Sequence, residues 1–223
     1  MGRVRVKFCG LVRREDVHEA VELGAEYLGF VFVPEGPRSV TSDHVEKLLR
    51  DVETRDALRV GVFRDQEAMY VNEVVRRCRL DLVQLHGWEP RDYPSGIRVP
   101  VLRVWRVPAL GVLAPGAAAD LLPERPTLAP NVAGVLVDAA DASGRSGGLG
   151  LAPDPTALEA LQRSLPGGAR VFLSGGLTPE NVASRVGAFR PWAVDVSSGV
   201  ESAPGAKDPK RMAAFVAALR GSA

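Results

Sequence analysis

Val4-Arg5-Val6-Lys7-Phe8-Cys9-Gly10-Leu11 is the stretch that decides the fold. It is a short alternating run that ends abruptly in a Cys-Gly-Leu turn. A doubly wound open sheet would favour a Gly-x-Gly-x-x-Gly turn directly after its first strand. Phe8-Cys9-Gly10-Leu11 is not that turn, so the first strand opens some other strand–helix arrangement.

Working outward, similar apolar, β-branched runs recur at Tyr27–Phe32, Arg59–Phe63, Leu82–Leu85, Val101–Trp105, Gly134–Val137, Arg170–Leu173 and Ala193–Val196, so with Val4–Phe8 there are eight. Helical patterns lie between most of them. Val45, Leu48, Leu49 and Val52 follow the i, i+3, i+4, i+7 rule after Ser42, read as a cap. Met212, Phe215, Val216 and Leu219 repeat it after Asp208-Pro209, a cap with proline at the first helical position. Asp154-Pro155 and Thr178-Pro179 announce two more helices in the same way. Eight strand–helix units in 223 residues fit the compact end of the (β/α)₈ barrel, and the whole of residues 1–223 is expected to be one such domain. The least legible stretch is Pro108–Pro130, where only Ala117–Leu122 suggests a helix.

Composition bounds the function. Hydrophobic residues make up 46% and charged residues 25%, with a net charge of +1 and aromatics at 6%. That is ordinary globular composition. No basic segment gathers the cations that a nucleic-acid surface requires, so no nucleic-acid partner is expected. No apolar run approaches the roughly 20 residues of a membrane span, and no apolar signal region opens the chain, so a cytoplasmic protein is expected. Cys9 and Cys78 stand apart from each other and from any ligand cluster, which argues against a zinc site or a disulfide framework. The oligomeric state is left open between monomer and homodimer.

In such barrels the working residues lie at the C-terminal ends of strands and in the loops that follow. That rule selects Cys9 after the first strand, Arg38 after the second, Gln84 and His86 at the end of the fourth, and Asp138 at the end of the sixth. Ser174-Gly175-Gly176 follows the seventh strand and Ser197-Ser198-Gly199 the eighth. The last two loops carry the sharpest physical signal. Their small residues let backbone N–H groups converge on an anion, and a helix start at Thr178-Pro179 would add dipole charge. A phosphate seat at Gly175, Gly176, Ser197, Ser198 and Gly199 is the reading preferred over simple tight turns.

Position alone leaves other residues open. Cys9 is either an inert buried thiol or a reactive one. Asp138 is either a loop cap or ion pair, or a carboxyl whose pKa desolvation raises. Lys7 shares a strand face with Cys9, so it either forms a Schiff base or pairs with an interior acid such as Asp195. His18 and His44 read as surface residues.

The candidates together resemble the phosphoribosylanthranilate isomerase family of tryptophan biosynthesis. The resemblance runs through Lys7-Phe8-Cys9-Gly10-Leu11, Gly29-Phe30-Val31-Phe32, Pro37-Arg38-Ser39, Val83-Gln84-Leu85-His86-Gly87 and Leu136-Val137-Asp138. It continues in Leu173-Ser174-Gly175-Gly176-Leu177-Thr178-Pro179-Glu180-Asn181-Val182, Val194-Asp195-Val196-Ser197-Ser198-Gly199-Val200-Glu201 and Pro204-Gly205-x-Lys207-Asp208. These blocks span the chain in the family's order.

What the resemblance implies is an Amadori rearrangement of N-(5-phosphoribosyl)anthranilate to the 1-deoxyribulose isomer. Cys9 is the implied general base, Asp138 the general acid, and Arg38 the contact to the anthranilate carboxylate. Gln84 and Asp195 join Arg38 in the expected substrate-binding set. No metal or organic cofactor is implied, and the partner is a small phosphorylated substrate. An unperturbed thiol pKa of about 8.5 would suit a base better than a carboxylate's.

One stretch departs from the family pattern. Gly147-Gly148-Leu149-Gly150-Leu151-Ala152-Pro153-Asp154-Pro155 keeps the glycines, but Leu149, Leu151 and Pro155 replace a hydroxyl residue, a long polar residue and tryptophan. Three rival readings compete with it. The histidine-pathway isomerase uses aspartate where this chain has Cys9, an aldolase would rely on Lys7, and a non-catalytic phosphate-binding barrel would need none of these groups.

Overall fold

The computed structural model describes residues 3–111, 129–143, 151–165 and 169–221. Strands β1 (Arg5–Phe8), β2 (Tyr27–Val31), β3 (Leu58–Phe63), β4 (Leu82–Leu85), β5 (Val101–Pro108), β6 (Val132–Ala140), β7 (Val171–Leu173) and β8 (Ala193–Val196) form one closed parallel barrel in chain order. Closure sets Lys7 of β1 opposite Asp195 of β8 and opposite Tyr27 of β2. The strands read as continuous apolar runs because a parallel barrel covers both of their faces.

Around them pack α1 (Arg14–Glu22), α2 (Ser42–Leu49), α3 (Ala68–Cys78), α4 (Pro155–Ser164), α5 (Val182–Phe189) and α6 (Pro209–Arg220). A short antiparallel hairpin, β9 (Glu201–Ala203) with β10 (Ala206–Lys207), stands between β8 and α6. Asp154 and Asp208 cap their helices as expected, each accepting two backbone N–H bonds.

The core has two parts. Tyr27, Val60, Leu82, Leu102, Val104, Leu136, Phe172 and Ala193 fill the barrel interior, with Tyr27 and Phe172 edge to face at 5.0 Å. A larger layer, including Val45, Val71, Leu161, Val186 and Phe215, seals the helices onto the outside of the strands. At roughly 1.5–3 kcal/mol for each fully buried aliphatic or aromatic side chain, this second layer is what keeps the helices docked.

Six expected strands match to within one residue, whereas β5 and β6 run longer. They pair with each other up to Pro108↔Ala140, beyond the last pairings of β4 and β7 with them. Asp138 therefore lies within β6, opposite Arg106, rather than at the strand's end.

Three helix expectations need correction. Thr41, not Ser42, caps α2, accepting the His44 N–H at 3.2 Å. The helix announced by Thr178-Pro179 begins only at Val182, because Thr178–Asn181 forms a turn in which the Asn181 side chain accepts the Thr178 N–H. Between β4 and β5 the chain makes only a 3₁₀ turn, Tyr93–Gly96. Pro90 and Pro94 lack the N–H groups that an α-helix needs there, and their rings crowd the preceding turn. The Ala117–Leu122 segment and Gly147–Gly150 lie outside the described residues.

Candidate active site

The C-terminal ends of the strands surround a cavity of about 360 Å³. Cys9, Arg38, Gln84, Asp138 and Asp195 all line it. So do Gly175, Gly176, Ser197, Ser198 and Gly199. The residues expected to catalyse the reaction or bind substrate therefore meet at one mouth, drawn from six strands and their loops.

Cys9 leaves β1 with its N–H bonded to Val196 O at 2.9 Å. It packs so tightly on β2 that a Cβ at Gly29 would lie 2.9 Å from Sγ, so this position tolerates only glycine without a shift. Next to it Gly10 turns with φ +72°, and a side chain there would strike Arg38 Cδ. Arg38 is thereby laid over the Cys9 turn. Its guanidinium forks onto Glu201 at 2.8 and 2.7 Å.

Below the mouth, Lys7 is fully buried and donates to Asp195 Oδ1 at 2.8 Å and Gln84 Oε1 at 2.9 Å. Of its two readings the ion pair is the one the geometry shows. Burial works against the Lys7 charge, but Asp195 and Cys9 outweigh it and hold its pKa above the ordinary value. Burial also pushes the Cys9 thiol up, and the nearby Lys7 charge only partly offsets that. In the free protein Cys9 is therefore harder to ionise than an exposed cysteine.

Asp138 is buried, with Oδ1 3.3 Å from Ser174 Oγ and Oδ2 3.3 Å from His86 Nε2. Within the described residues Oδ2 makes no hydrogen bond, so the His86 contact falls short of good bonding geometry. His86 Nδ1 in turn lies 3.2 Å from Gln84 Nε2. His18 and His44 are exposed, as expected.

The two glycine-bearing loops close the other side. Gly175 and Gly176 have φ of +91° and +57°. Gly199 sits against Leu177 O, where a Cβ would have no room. Since α5 starts at Val182, its N-terminus lies farther along the chain from Gly175-Gly176 than the sequence suggested. Leu151, which replaces the expected polar residue, also lines the cavity.

Glu201 and Lys207 belong to this architecture, although the sequence offered them only as parts of motifs. Lys207 is fully buried and donates to Glu201 at 2.8 Å and to Ser197 O at 3.2 Å. Burial lowers its pKa despite that partner. The Glu201 side chain is also largely covered, which favours its neutral form, but bonds from Arg38 and Lys207 win and hold its pKa below the ordinary carboxylate value. Ser197 Oγ donates to Cys9 O at 3.0 Å, so Arg38, Glu201, Lys207, Ser197 and Cys9 form one connected chain of contacts. Only closure of the barrel could have revealed it.

A closed parallel barrel with a thiol, a carboxyl and a glycine-lined recess at its C-terminal mouth defines a (β/α)₈ enzyme. The sequence matches the profile described as N-(5'phosphoribosyl)anthranilate (PRA) isomerase over residues 6–218. It is 41% identical over 214 residues to the N-(5'-phosphoribosyl)anthranilate isomerase of Trichlorobacter lovleyi, covering 96% of each chain. Among solved structures it resembles phosphoribosyl anthranilate isomerase from Thermus thermophilus, at 33% identity and a TM-score of 0.79, covering 98% of this chain and 99% of that one. It also resembles, at 31% identity and a TM-score of 0.77 with 98% and 99% coverage, a phosphoribosyl anthranilate isomerase in complex with reduced 1-(o-carboxyphenylamino)-1-deoxyribulose 5-phosphate. The chain belongs to the phosphoribosylanthranilate isomerase family.

Proposed function

We propose that this barrel converts N-(5-phosphoribosyl)anthranilate to 1-(2-carboxyphenylamino)-1-deoxyribulose 5-phosphate, a step of tryptophan biosynthesis, with Asp138 as general acid and Cys9 as general base. The observation that carries this reading is the meeting of Cys9, Asp138, Arg38 and both small-residue loops around one recess.

The residues divide the work along the substrate. Backbone N–H groups around Gly175-Gly176 and Ser197-Ser198-Gly199 seat the phosphate, and Arg38 receives the anthranilate carboxylate. Gln84 and Asp195, at the base of the recess, face the sugar. Anchoring both ends places the ribose between the two proton-transfer groups, which converts an encounter into a positioned reaction.

Asp138 delivers a proton to the ring oxygen, the C1′–O bond breaks, and the nitrogen lone pair forms the Schiff base. The C2′ proton of that imine is then acidic. Cys9 thiolate removes it, the electrons move toward nitrogen, and an enolamine results. Uptake of a proton at C1′ with loss of the 2′-hydroxyl proton completes the ketone, so no external oxidant or reductant takes part. Burial disfavours the Cys9 thiolate, and the Lys7 ammonium is the counter-charge that offsets part of that cost.

The test is the decay of anthranilate-ribose fluorescence on adding the purified chain to freshly formed substrate. Enzyme-dependent decay with formation of the deoxyribulose product is expected. A chain that binds the substrate without consuming it would establish the non-catalytic rival.

A further inference from the structure

We infer that Lys7 and Gln84 fix the tautomer of His86, so that His86 presents an Nε2–H to Asp138 Oδ2 and leaves Oδ1 as the oxygen that gives up the proton. The role for Asp138 rests on the function proposed above; the tautomer does not.

The chain of reasoning is one of donors and acceptors. A lysine ammonium only donates, so the Gln84 atom 2.9 Å from Lys7 Nζ must be its carbonyl oxygen. That orients the amide and turns its NH₂ toward His86 Nδ1, 3.2 Å away. An NH₂ group can only donate, so Nδ1 must be the bare, accepting nitrogen of the ring. A neutral imidazole then carries its hydrogen on Nε2. Nε2 lies 3.3 Å from Asp138 Oδ2.

A second observation converges on the same proton. Asp138 Oδ2 is sealed from solvent and, within the described residues, accepts no hydrogen bond. A buried carboxylate oxygen in that state is costly, and a facing N–H removes the cost. Hydrogen bonds of this kind are often misaligned before substrate binds and tighten in the complex.

The split between the two carboxyl oxygens follows. Oδ2 is closed off, so a substrate atom can meet only Oδ1. Ser174 Oγ lies 2.7 Å from Val137 O and 3.3 Å from Asp138 Oδ1. The shorter contact takes the single hydroxyl hydrogen, so Ser174 Oγ turns a lone pair toward Oδ1. His86 is thus a positioning residue that acts through Asp138, and Gln84, besides facing the sugar, orients its ring.

The chain has three histidines, so ¹⁵N-labelled imidazole spectra assign readily. In the ligand-free protein at neutral pH, His86 is expected as the Nε2–H tautomer; an Nδ1–H or doubly protonated ring overturns the inference. Gln84→Glu puts an acceptor where the amide donated, so the His86 hydrogen should appear on Nδ1. In the same variant kcat should fall about 10–100-fold, the usual scale for an outer-shell partner. His86→Gln, whose amide mimics an Nε2–H, should keep most of kcat, and His86→Leu should not. Unchanged kcat in both Gln84→Glu and His86→Leu also overturns the inference. Absence of isomerase activity in the unaltered chain would refute the proposed function, while the spectrum would still decide the tautomer.

Discussion

Arg38 reaches from the loop after β2 to grip Glu201 of the β9–β10 hairpin with two hydrogen bonds, 2.8 and 2.7 Å long. The two residues are 163 positions apart, and their pairing exists only because the barrel closes. It fixes the guanidinium of a residue that lines the recess. It also ties the loop after β2 to the segment that carries Ser197 and Ser198.

An arginine held this way should act on recognition more than on chemistry. Replacing Arg38 by alanine is expected to raise KM for the full substrate by about 10–100-fold, the scale of one lost charge-assisted bond. Arg38→Lys should recover little, since an ammonium cannot fork. Steady-state kinetics checks this, alongside binding of a ribose phosphate that lacks the aromatic acid. Equal losses for both ligands would show that Arg38 does not read the anthranilate end.

Glu201 links the site to acid stability. Its folded-state carboxyl is held below the ordinary value of 4.5 by Arg38 and Lys207, against the effect of burial. A depressed carboxyl contributes stability that is present above the ordinary carboxylate range and is lost as pH falls through its folded-state value. Glu201→Gln leaves the Lys207 ammonium buried without its counter-charge and should cost about 3–5 kcal/mol near neutral pH. Urea titrations at neutral and acid pH should show the gap between variant and parent closing in acid. A pH-independent gap would mean the loss is one of packing rather than charge.

Cys9 should leave its mark on the alkaline limb of the rate profile. Because burial raises its pKa above the ordinary 9.0, kcat/KM should keep rising with pH beyond the range of an exposed thiol. Lys7 lowers that pKa and Asp195 raises it. Lys7→Met should therefore move the limb to higher pH, and Asp195→Asn to lower pH. A limb that ignores both changes belongs to some other group.

Much of this arrangement was legible in the sequence. Continuous apolar runs marked the strands because a parallel barrel buries both faces, and strand parity already set Lys7 with Cys9 and suggested Asp195. Asp154 and Asp208 were read correctly because capping is a local interaction. The misreadings were also local in origin: Thr178-Pro179 looks like a helix start, yet the Asn181 side chain folds the segment into a turn first. Lys7–Gln84, 77 residues apart, and Lys207–Ser197 could not be seen, because nothing in the sequence says which polar side chains the closed barrel brings face to face. His86 was visible only as a strand-end residue, since its meaning depends on what stands at each ring nitrogen.

The division of labour between one thiol and one carboxyl is open to direct trial. Cys9→Ala and Asp138→Ala, each verified as folded by circular dichroism and urea titration, should lower turnover in the fluorescence assay by about 10²–10⁴-fold, the range of a lost acid or base. Turnover near that of the parent in either variant would contradict the role assigned to that residue, and with it the account of how this barrel mouth works.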